Sequence, residues 1–327
     1  MRRLVWISAV ALAALGCGVA LAGSSHDRNG RIAFAHHTFP GDVETSDIAT
    51  IAPDGTDLRV LTANPPGTFS DDPAWSDHGN RVYFDSDQAG NVHVFAIKSD
   101  GREQRQVTRT DGFEFSPALS RDDRLLAFEH DSADFSSGGI FVGDRRGGDL
   151  GDFRQITSAP GLAAGGFDGY PAFSPDGRQI AFMRVLDPTH GSAQSAIFVV
   201  GIDGRGLRQL TPYPLDAAGP VWSPDGRTIA FATNDDNFPT QAQIDAVDVR
   251  RGTITQLTHD PLPDQNFSPE WSPDGTKILF DRWMGLSHFD LMVMNADGSN
   301  LTTLWHGIDG TFDFHPAWGS RSDEHER

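Results

Sequence analysis

The fold is decided by the stretch Pro171-Ala172-Phe173-Ser174-Pro175-Asp176-Gly177-Arg178-Gln179-Ile180-Ala181-Phe182, because its pattern returns along the chain. An apolar residue stands two places after a proline, and a polar turn and a short Ile-Ala-Phe strand follow it. The full Ser-Pro-Asp-Gly turn recurs at 223–226 and 272–275, and the opening Pro-x-apolar unit occurs six times. Successive copies are 44, 54, 49, 49 and 47 residues apart, which is typical of a repeat protein.

Each repeat carries the signals of four short strands. After the Ala-Phe strand comes a third apolar strand, such as Ile197 to Ile202, and a fourth segment that ends in an apolar residue and Thr, such as Leu210-Thr211. Tight Gly turns separate these strands, and windows of helical periodicity are absent. A four-stranded repeat of this length predicts a β-propeller blade. The residues expected to fill the gaps between blades are Trp75, Leu119, Phe173, Trp222, Trp271 and Trp318.

The order of the repeats predicts a closed ring. The chain enters at a second strand, Asn29 to Phe34, and reaches its sixth Pro-x-Trp only at 316–318. Five complete units and two complementary fragments predict an all-β fold with six blades of four antiparallel strands, closed by the C-terminal strand joining the first blade. We expect a short linker over 23–29, a single propeller domain over 30–319 and a polar tail over 320–327.

The N-terminus reads as a targeting segment. Met1-Arg2-Arg3 precedes an uncharged run that ends in Ala20-Leu21-Ala22, which is typical of a secretory signal over 1–22. Two alternatives remain open: an uncleaved membrane anchor, since the run is just long enough to span a bilayer, and a lipoprotein modified at Cys17. Each alternative places the folded part in the periplasm or outside the cell.

Composition excludes several classes of function. With 45 Asp and Glu against 26 Lys and Arg, the net charge is −19, which disfavours nucleic acid as a partner. The single Cys excludes an intramolecular disulfide and a Cys-based zinc site. We expect membrane contact only through the N-terminal segment, and we expect a monomer.

The repeated Pro-Ala-Trp-Ser-Pro-Asp-Gly, Ile-Ala-Phe, Asp-Gly and Leu-Thr pattern resembles the WD-repeat-like propeller of the TolB family. The resemblance covers nearly the whole chain after the signal and implies the propeller alone, because only about seven residues separate Ala22 from the first strand. Similar repeats form the propeller of prolyl-oligopeptidase-like enzymes. We expect no attached hydrolase domain here, and the sequence lacks a Gly-x-Ser-x-Gly nucleophile elbow.

Variable loops gather on one face of such a ring, where binding residues are expected. The third residue before each Pro and the residue directly before it should point to the same side of the strand, toward the channel mouth, because side chains alternate. No catalytic residue is predicted. The predicted binding residues on this face are His37, Asp72, Glu114, Asp168, Tyr170, Asp313 and His315.

Oxygen ligands on this face suit calcium, so Glu114, Asp168 and Asp313 are candidate Ca²⁺ ligands, although acids of this kind also cap strands and face water. The twelve histidines are scattered and contain no His-Glu-x-x-His unit. The leading hypothesis is a non-catalytic scaffold that binds a protein, a peptide or a cell-envelope glycan. A metal-dependent lyase or lactonase at the channel mouth is the alternative, and a stabilising component of an assembly is the third.

Overall fold

The computed structural model describes residues 29–145, 152–159, 166–186, 194–233, 242–261, 263–285 and 288–321. Within these residues, 24 strands form six four-stranded antiparallel sheets. In five sheets the strands follow chain order, as in an up-and-down blade. The predicted all-β six-bladed propeller is therefore confirmed.

Blade 1 combines strands from the two ends of the described chain, and blades 2 and 3 each follow in one continuous segment. Blade 1 contains β1 (Asn29–Thr38), β2 (Thr45–Ile51), β3 (Arg59–Val60) and the last strand, β24 (Phe312–Ser320). Blade 2 contains β4 (Ser70–Trp75), β5 (Arg81–Ala89), β6 (Asn91–Lys98) and β7 (Arg105–Gln106). Blade 3 contains β8 (Phe113–Leu119), β9 (Leu125–Asp131), β10 (Gly138–Asp144) and β11 (Phe153–Gln155).

Blades 4 to 6 repeat the same plan. Two short 3-10 turns lie in the connections: Pro40–Asp42 follows β1 in blade 1, and Tyr213–Leu215 precedes blade 5. Blade 4 contains β12 (Gly166–Phe173), β13 (Gln179–Leu186), β14 (Gln194–Gly201) and β15 (Arg208–Gln209). Blade 5 contains β16 (Ala217–Trp222), β17 (Thr228–Thr233), β18 (Gln243–Asp248) and β19 (Ile254–Gln256). Blade 6 contains β20 (Gln265–Trp271), β21 (Lys277–Trp283), β22 (Phe289–Asn295) and β23 (Thr302–Trp305).

The last strand closes the ring. Strand β24 pairs antiparallel with β1, with Trp318 opposite Ile32 and Ala317 opposite Ala33, so it becomes the inner strand of blade 1. The side chain of Asn29 also donates to Asp274 in the turn of blade 6. Because β1 would otherwise expose an unpaired edge, this pairing joins the two ends of the chain into one ring.

Two recurring hydrogen-bond patterns explain why the same polar residues return in the repeat. In the Ser-Pro-Asp-Gly turn, the Ser174 hydroxyl donates to Asp176 at 2.6 Å, and Gly177 adopts a left-handed φ of 66°. In the apolar-Thr unit, the Thr hydroxyl accepts a backbone N–H from within the third strand, as between Ile197 and Thr211 at 2.9 Å. The same 2.9 Å bond occurs in each of the first five blades. Thr therefore extends the ladder past the end of the short outer strand.

The core consists of six apolar clusters, each built by two neighbouring blades. Phe173 of blade 4, for example, packs with Ala127 and Ile140 of blade 3. Trp318 of blade 1 joins Leu279 and Leu291 of blade 6. The remaining blade anchors lie in the other interfaces: Trp75, Leu119, Trp222 and Trp271. Because each blade buries its faces on its neighbours, the ring is one cooperative unit.

The predicted signal segment, Cys17 and most of the predicted tail lie outside the described residues. In the part that the structure does describe, there is no helix of the length and apolarity needed to cross a bilayer.

Candidate functional site

A β-bulge interrupts the inner strand of every blade. The pairing register slips at the proline of each inner strand, as between Asp71 and Ala74 in blade 2. The residue before that proline has a left-handed φ between 46° and 57° in all six blades. These residues are Asp72, Ser116, Tyr170, Gly219, Ser268 and His315. The bulge thus places the same residue of each blade around the central channel.

Two of these residues form an ion pair across the joint of blades 1 and 2. The His315 Nδ1 atom lies 2.6 Å from Asp72 Oδ1, and the Ser116 hydroxyl donates to Asp72 Oδ2 at 2.5 Å. Burial acts to lower the pKa of His315, but the Asp72 carboxylate outweighs burial and raises this pKa to about 10. Burial acts to raise the pKa of Asp72, yet the imidazolium holds it below its usual value. The pair is therefore charged at neutral pH.

Further carboxylates directly follow the Phe of the Ala-Phe strand in three blades. Asp85 accepts the backbone N–H of Ser116 at 2.9 Å, and burial, followed by the nearby charge of Asp72, raises the pKa of Asp85 well above its usual value. Burial, followed by the charge of Asp131, does the same for Glu129. Burial raises the pKa of Asp281 to about 6, although His315 counters part of this rise. Acids therefore outnumber bases around the channel.

Tyr170 and Glu270 complete the titratable groups of the channel. The negative charge of Asp72, together with burial, raises the pKa of the Tyr170 phenol well above its usual value. The ring of Tyr170 lies 6.4 Å from that of His315. Glu270 follows Pro269, where the other five blades carry Ala or Val, and burial raises its pKa to about 8.

The six inner strands enclose a cavity of about 740 Å³. This size falls within the roughly 300–1,000 Å³ of ordinary ligand sites. Its polar wall contains Asp72, Glu270, Asp281 and His315, and aromatic and proline side chains form much of the rest. Among the described residues that line it, none is Lys or Arg. The cavity is thus a mixed acidic and aromatic site.

The third residue before each proline does not face this cavity. Asp168 is fully buried and binds Arg184 through two hydrogen bonds of 2.6 and 2.7 Å. The guanidinium lies over the rings of Phe182 and Phe198, which pack toward blade 3. The prediction that both positions point to the same side is wrong, because the bulge between them breaks the alternation of side chains.

The equivalent acids in two other blades have their own partners. Glu114 binds His93 at 2.6 Å, Thr108 at 2.8 Å and His130 at 3.2 Å. Although burial acts to raise the pKa of Glu114, these bonds hold it below its usual value. Asp313 binds His36 at 2.6 Å and accepts from the Trp305 indole at 3.0 Å. These carboxylates join neighbouring blades.

The predicted binding residues therefore separate into two groups. Asp72, Tyr170 and His315 line the cavity. His37 lies outside it and contacts Glu44 at 3.0 Å and Asp71 at 2.9 Å. The remaining members of the second group, held within the blade joints, are Glu114, Asp168 and Asp313.

The candidate calcium ligands are not brought together. They lie in blades 3, 4 and 1, each with the partners described above. Across the described ranges, no three His, Asp or Glu side chains are arranged to hold a metal ion. The expected metal site at Glu114, Asp168 and Asp313 is corrected accordingly: each of these carboxylates already has hydrogen-bond partners of its own.

The predicted binding residues left out Glu270 and Asp281, which line the cavity, and Asp85 and Glu129, which are buried near it. Asp85, Glu129 and Asp281 directly follow the Phe of their strands, where other blades have Ala or Met. Glu270 interrupts a column that is otherwise small and apolar. Comparing each repeat position across the six copies would have singled out these four carboxylates.

Comparisons with known proteins agree with this architecture. The family profile described as the TolB beta propeller domain matches residues 152–320, just over half of the chain. No curated protein matches the sequence.

Solved structures of the same fold come from different functional classes. TolB from Acinetobacter baumannii superposes with a TM-score of 0.69 at 18% identity, covering 89% of this chain and 66% of that one. Hydrazine synthase from Kuenenia stuttgartiensis gives 0.72 at 15% identity, covering 95% and 51%. An oligogalacturonate lyase in complex with manganese gives 0.55 at 15% identity, covering 79% and 70%. The chain thus spans about two thirds of that TolB and half of that synthase, and these likenesses show the fold alone.

Proposed function

We propose that this chain, which belongs to the TolB β-propeller domain family, is an exported, non-catalytic propeller that binds a protein or peptide on its variable-loop face. This face carries the β1–β2 loop and its counterparts, together with the connections that enter each inner strand. The short Ser-Pro-Asp-Gly and Asp-Gly turns occupy the opposite face.

The observation that carries the proposal is a continuous run of phenylalanines on this face. Phe267 and Phe289 of blade 6 lie 6.4 Å apart between ring centroids, and Phe289 lies 6.0 Å from Phe312 of blade 1. Phe312 contacts Phe39 edge to face at 5.5 Å, and Phe39 is 38% exposed. The run therefore crosses two blades and ends in solvent, where an aromatic side chain can anchor a partner.

The surroundings favour a protein with basic groups. The chain carries a net charge of −19, and in the described lining of the channel beside this run carboxylates outnumber basic side chains. An aromatic centre with charged surroundings is the usual composition of a protein interface, and complementary charge accelerates and orients association.

Two observations support a non-catalytic role: the partner of the Ser116 hydroxyl and the raised pKa of His315. The Ser116 hydroxyl donates to Asp72 and not to an imidazole, so the residues that meet here lack the nucleophile-base order of a hydrolase. His315 carries a proton at neutral pH, because its pKa is near 10, and is therefore a poor general base. A metal-dependent lyase or lactonase remains the alternative, since the fold also occurs in a manganese-bound lyase.

The experiment compares two apolar substitutions on opposite faces. Phe39→Ser removes the exposed end of the aromatic run, and Leu207→Ser changes a comparably exposed residue (48%) on the turn face. The exported chain, immobilised and mixed with cell-envelope extract, should retain partners that Phe39→Ser loses and Leu207→Ser keeps.

Three outcomes would contradict the proposal. Loss of capture only in Leu207→Ser would move the interface to the turn face. Capture of glycan and not of protein would change the partner class. Substrate cleavage that depends on an added divalent cation would favour the lyase alternative. The export step is tested separately, by cell fractionation and by the intact mass of the mature chain.

A further inference from the structure

The central cavity has a charged side and an apolar side. The carboxyl groups of Asp72, Glu270 and Asp281 line it from blades 2 and 6. On the opposite side, blades 4 and 5 contribute Phe167, Met183, Ala218, Val221 and Ala232. We propose that this cavity binds a small organic cation of the quaternary ammonium class, with its charge toward blades 6, 1 and 2 and its apolar body toward blades 4 and 5.

The carboxylate of Asp281 is prepared for a cation. This side chain is 1% exposed and lines the cavity, and its Oδ1 atom has no hydrogen-bond partner among the described residues. A buried carboxylate oxygen without a partner costs free energy that a cation can recover. No Lys or Arg of the described lining competes for it, and the imidazole of His315 is already held by Asp72.

Glu270 adds a second acid to the same wall. Its five counterparts in the other inner strands are Ala or Val, so a blade can form without a carboxyl group at this position. Both acids belong to blade 6, which gives the cavity a localised negative side. A ligand with one positive centre would therefore bind with that centre toward blade 6.

Aromatic rings stand beside this acidic wall. The rings of Phe289 and Phe314 lie 4.4 Å apart at 69°, and both line the cavity together with Phe267 and Tyr170. Aromatic rings attract cations through their negative faces, and quaternary ammonium groups are the ligands that aromatic cages recognise best. The same rings would contact the apolar substituents of such an ion.

The aromatic lining favours a quaternary ammonium group, and the described wall has few free acceptors for a primary one. A primary ammonium carries three N–H donors, each of which needs an acceptor when buried. Asp72 is already ion-paired with His315 and accepts from Ser116, and Asp85 accepts from the Ser116 amide, so of the described carboxylates here only Asp281 and Glu270 are left to receive such donors. A trimethylammonium group needs no acceptor and is stabilised by charge and ring contact alone.

The test uses choline and its neutral isostere, 3,3-dimethylbutan-1-ol, with the full mature chain and titration calorimetry. Choline should bind at least tenfold more tightly than the alcohol, because the two differ mainly in charge. Asp281→Asn should weaken choline at least tenfold, and Glu270→Gln should weaken it at pH 9. Asp297→Asn, in an exposed turn of the opposite face, is the matched control and should leave the affinity unchanged.

Each other outcome decides against the proposal. Equal binding of choline and the alcohol would reduce the cavity to an apolar site. Tighter binding of ethanolamine than of choline would assign a primary ammonium instead. If Asp281→Asn fails to fold, an undiminished choline affinity in Glu270→Gln at pH 9 would by itself overturn the assignment. The inference does not rest on the proposed partner, and Phe39→Ser should keep choline binding.

Discussion

Replacing Glu270 by Gln should stabilise the protein, and increasingly so as the pH rises. Glu270 lies in the channel without a described cationic partner, and burial raises its pKa from 4.5 to about 8. Below pH 4.5 the carboxyl is protonated in both the folded and unfolded states, so it has no effect. Between pH 4.5 and 8 only the unfolded chain releases its proton, which favours unfolding. Gln resembles the protonated carboxyl and removes this effect.

The magnitude follows from the same pKa change. At about 1.4 kcal/mol for each tenfold change in the proton equilibrium, the full shift corresponds to at most about 4–5 kcal/mol above pH 8. Because the Glu270 side chain is only partly buried and faces the channel, solvent reduces the penalty, and we expect roughly 2 kcal/mol at pH 9. At pH 4 the difference between Glu270→Gln and the wild type should be close to zero.

Urea denaturation at pH 4, 7 and 9 measures this difference, provided that the unfolding is reversible. Glu103→Gln is the matched control, since Glu103 is exposed and pairs with Arg81 and Lys98. Arginine and lysine keep its pKa low, so its replacement should not stabilise the protein at any of these pH values. A Glu270→Gln effect that is equal at pH 4 and 9, or that is destabilising at pH 9, would refute the reasoning.

Two further predictions concern the buried ion pairs. Arg184→Gln should lower the free energy of unfolding by about 3 kcal/mol, because it leaves the fully buried Asp168 without its cation. Arg227→Gln, at an exposed position, is the control and should change the free energy of unfolding little in the same urea titration. Equal effects of the two substitutions would contradict the prediction. His315→Asn should destabilise the protein most below pH 6.5, and the loss should fade as the pH rises toward 10, because the folded pKa of His315 is raised. A pH-independent loss of melting temperature would show that His315 contributes packing and no charge.

The repeat made the fold predictable because each of its signals has a local physical cause. Pro175 and Gly177 fix a turn, Thr211 continues a ladder and Trp222 fills a joint, and none of these depends on distant sequence. Ring closure followed from counting fragments, since the strand missing at Asn29 is supplied at 312–320. Local rules of this kind recur in most copies, which is why the architecture could be derived from the sequence.

The site was only partly predictable because one extra residue per strand changes which way side chains point. Alternation assigned Asp168 and Asp72 to the same surface, yet the bulge sends Asp168 into a blade joint and leaves Asp72 at the channel. Sequence could not show this, since a bulge at a proline leaves no distinct pattern in a single copy. The approach of His315 to Asp72 likewise depends on the joint between blades 1 and 2.

The left-handed residues connect this backbone feature to the chemistry of the cavity. A side chain in that conformation costs roughly 1 kcal/mol relative to Gly, which adopts it freely. Blade 5 uses Gly219 there, and it also has Ala217 where the other five blades carry a polar residue. Asp72 and His315 keep their side chains at the same strained position. Because strain persists where surrounding contacts require it, five blades hold a polar side chain at the channel against a local cost, and blade 5, with Gly219, is the one that does not.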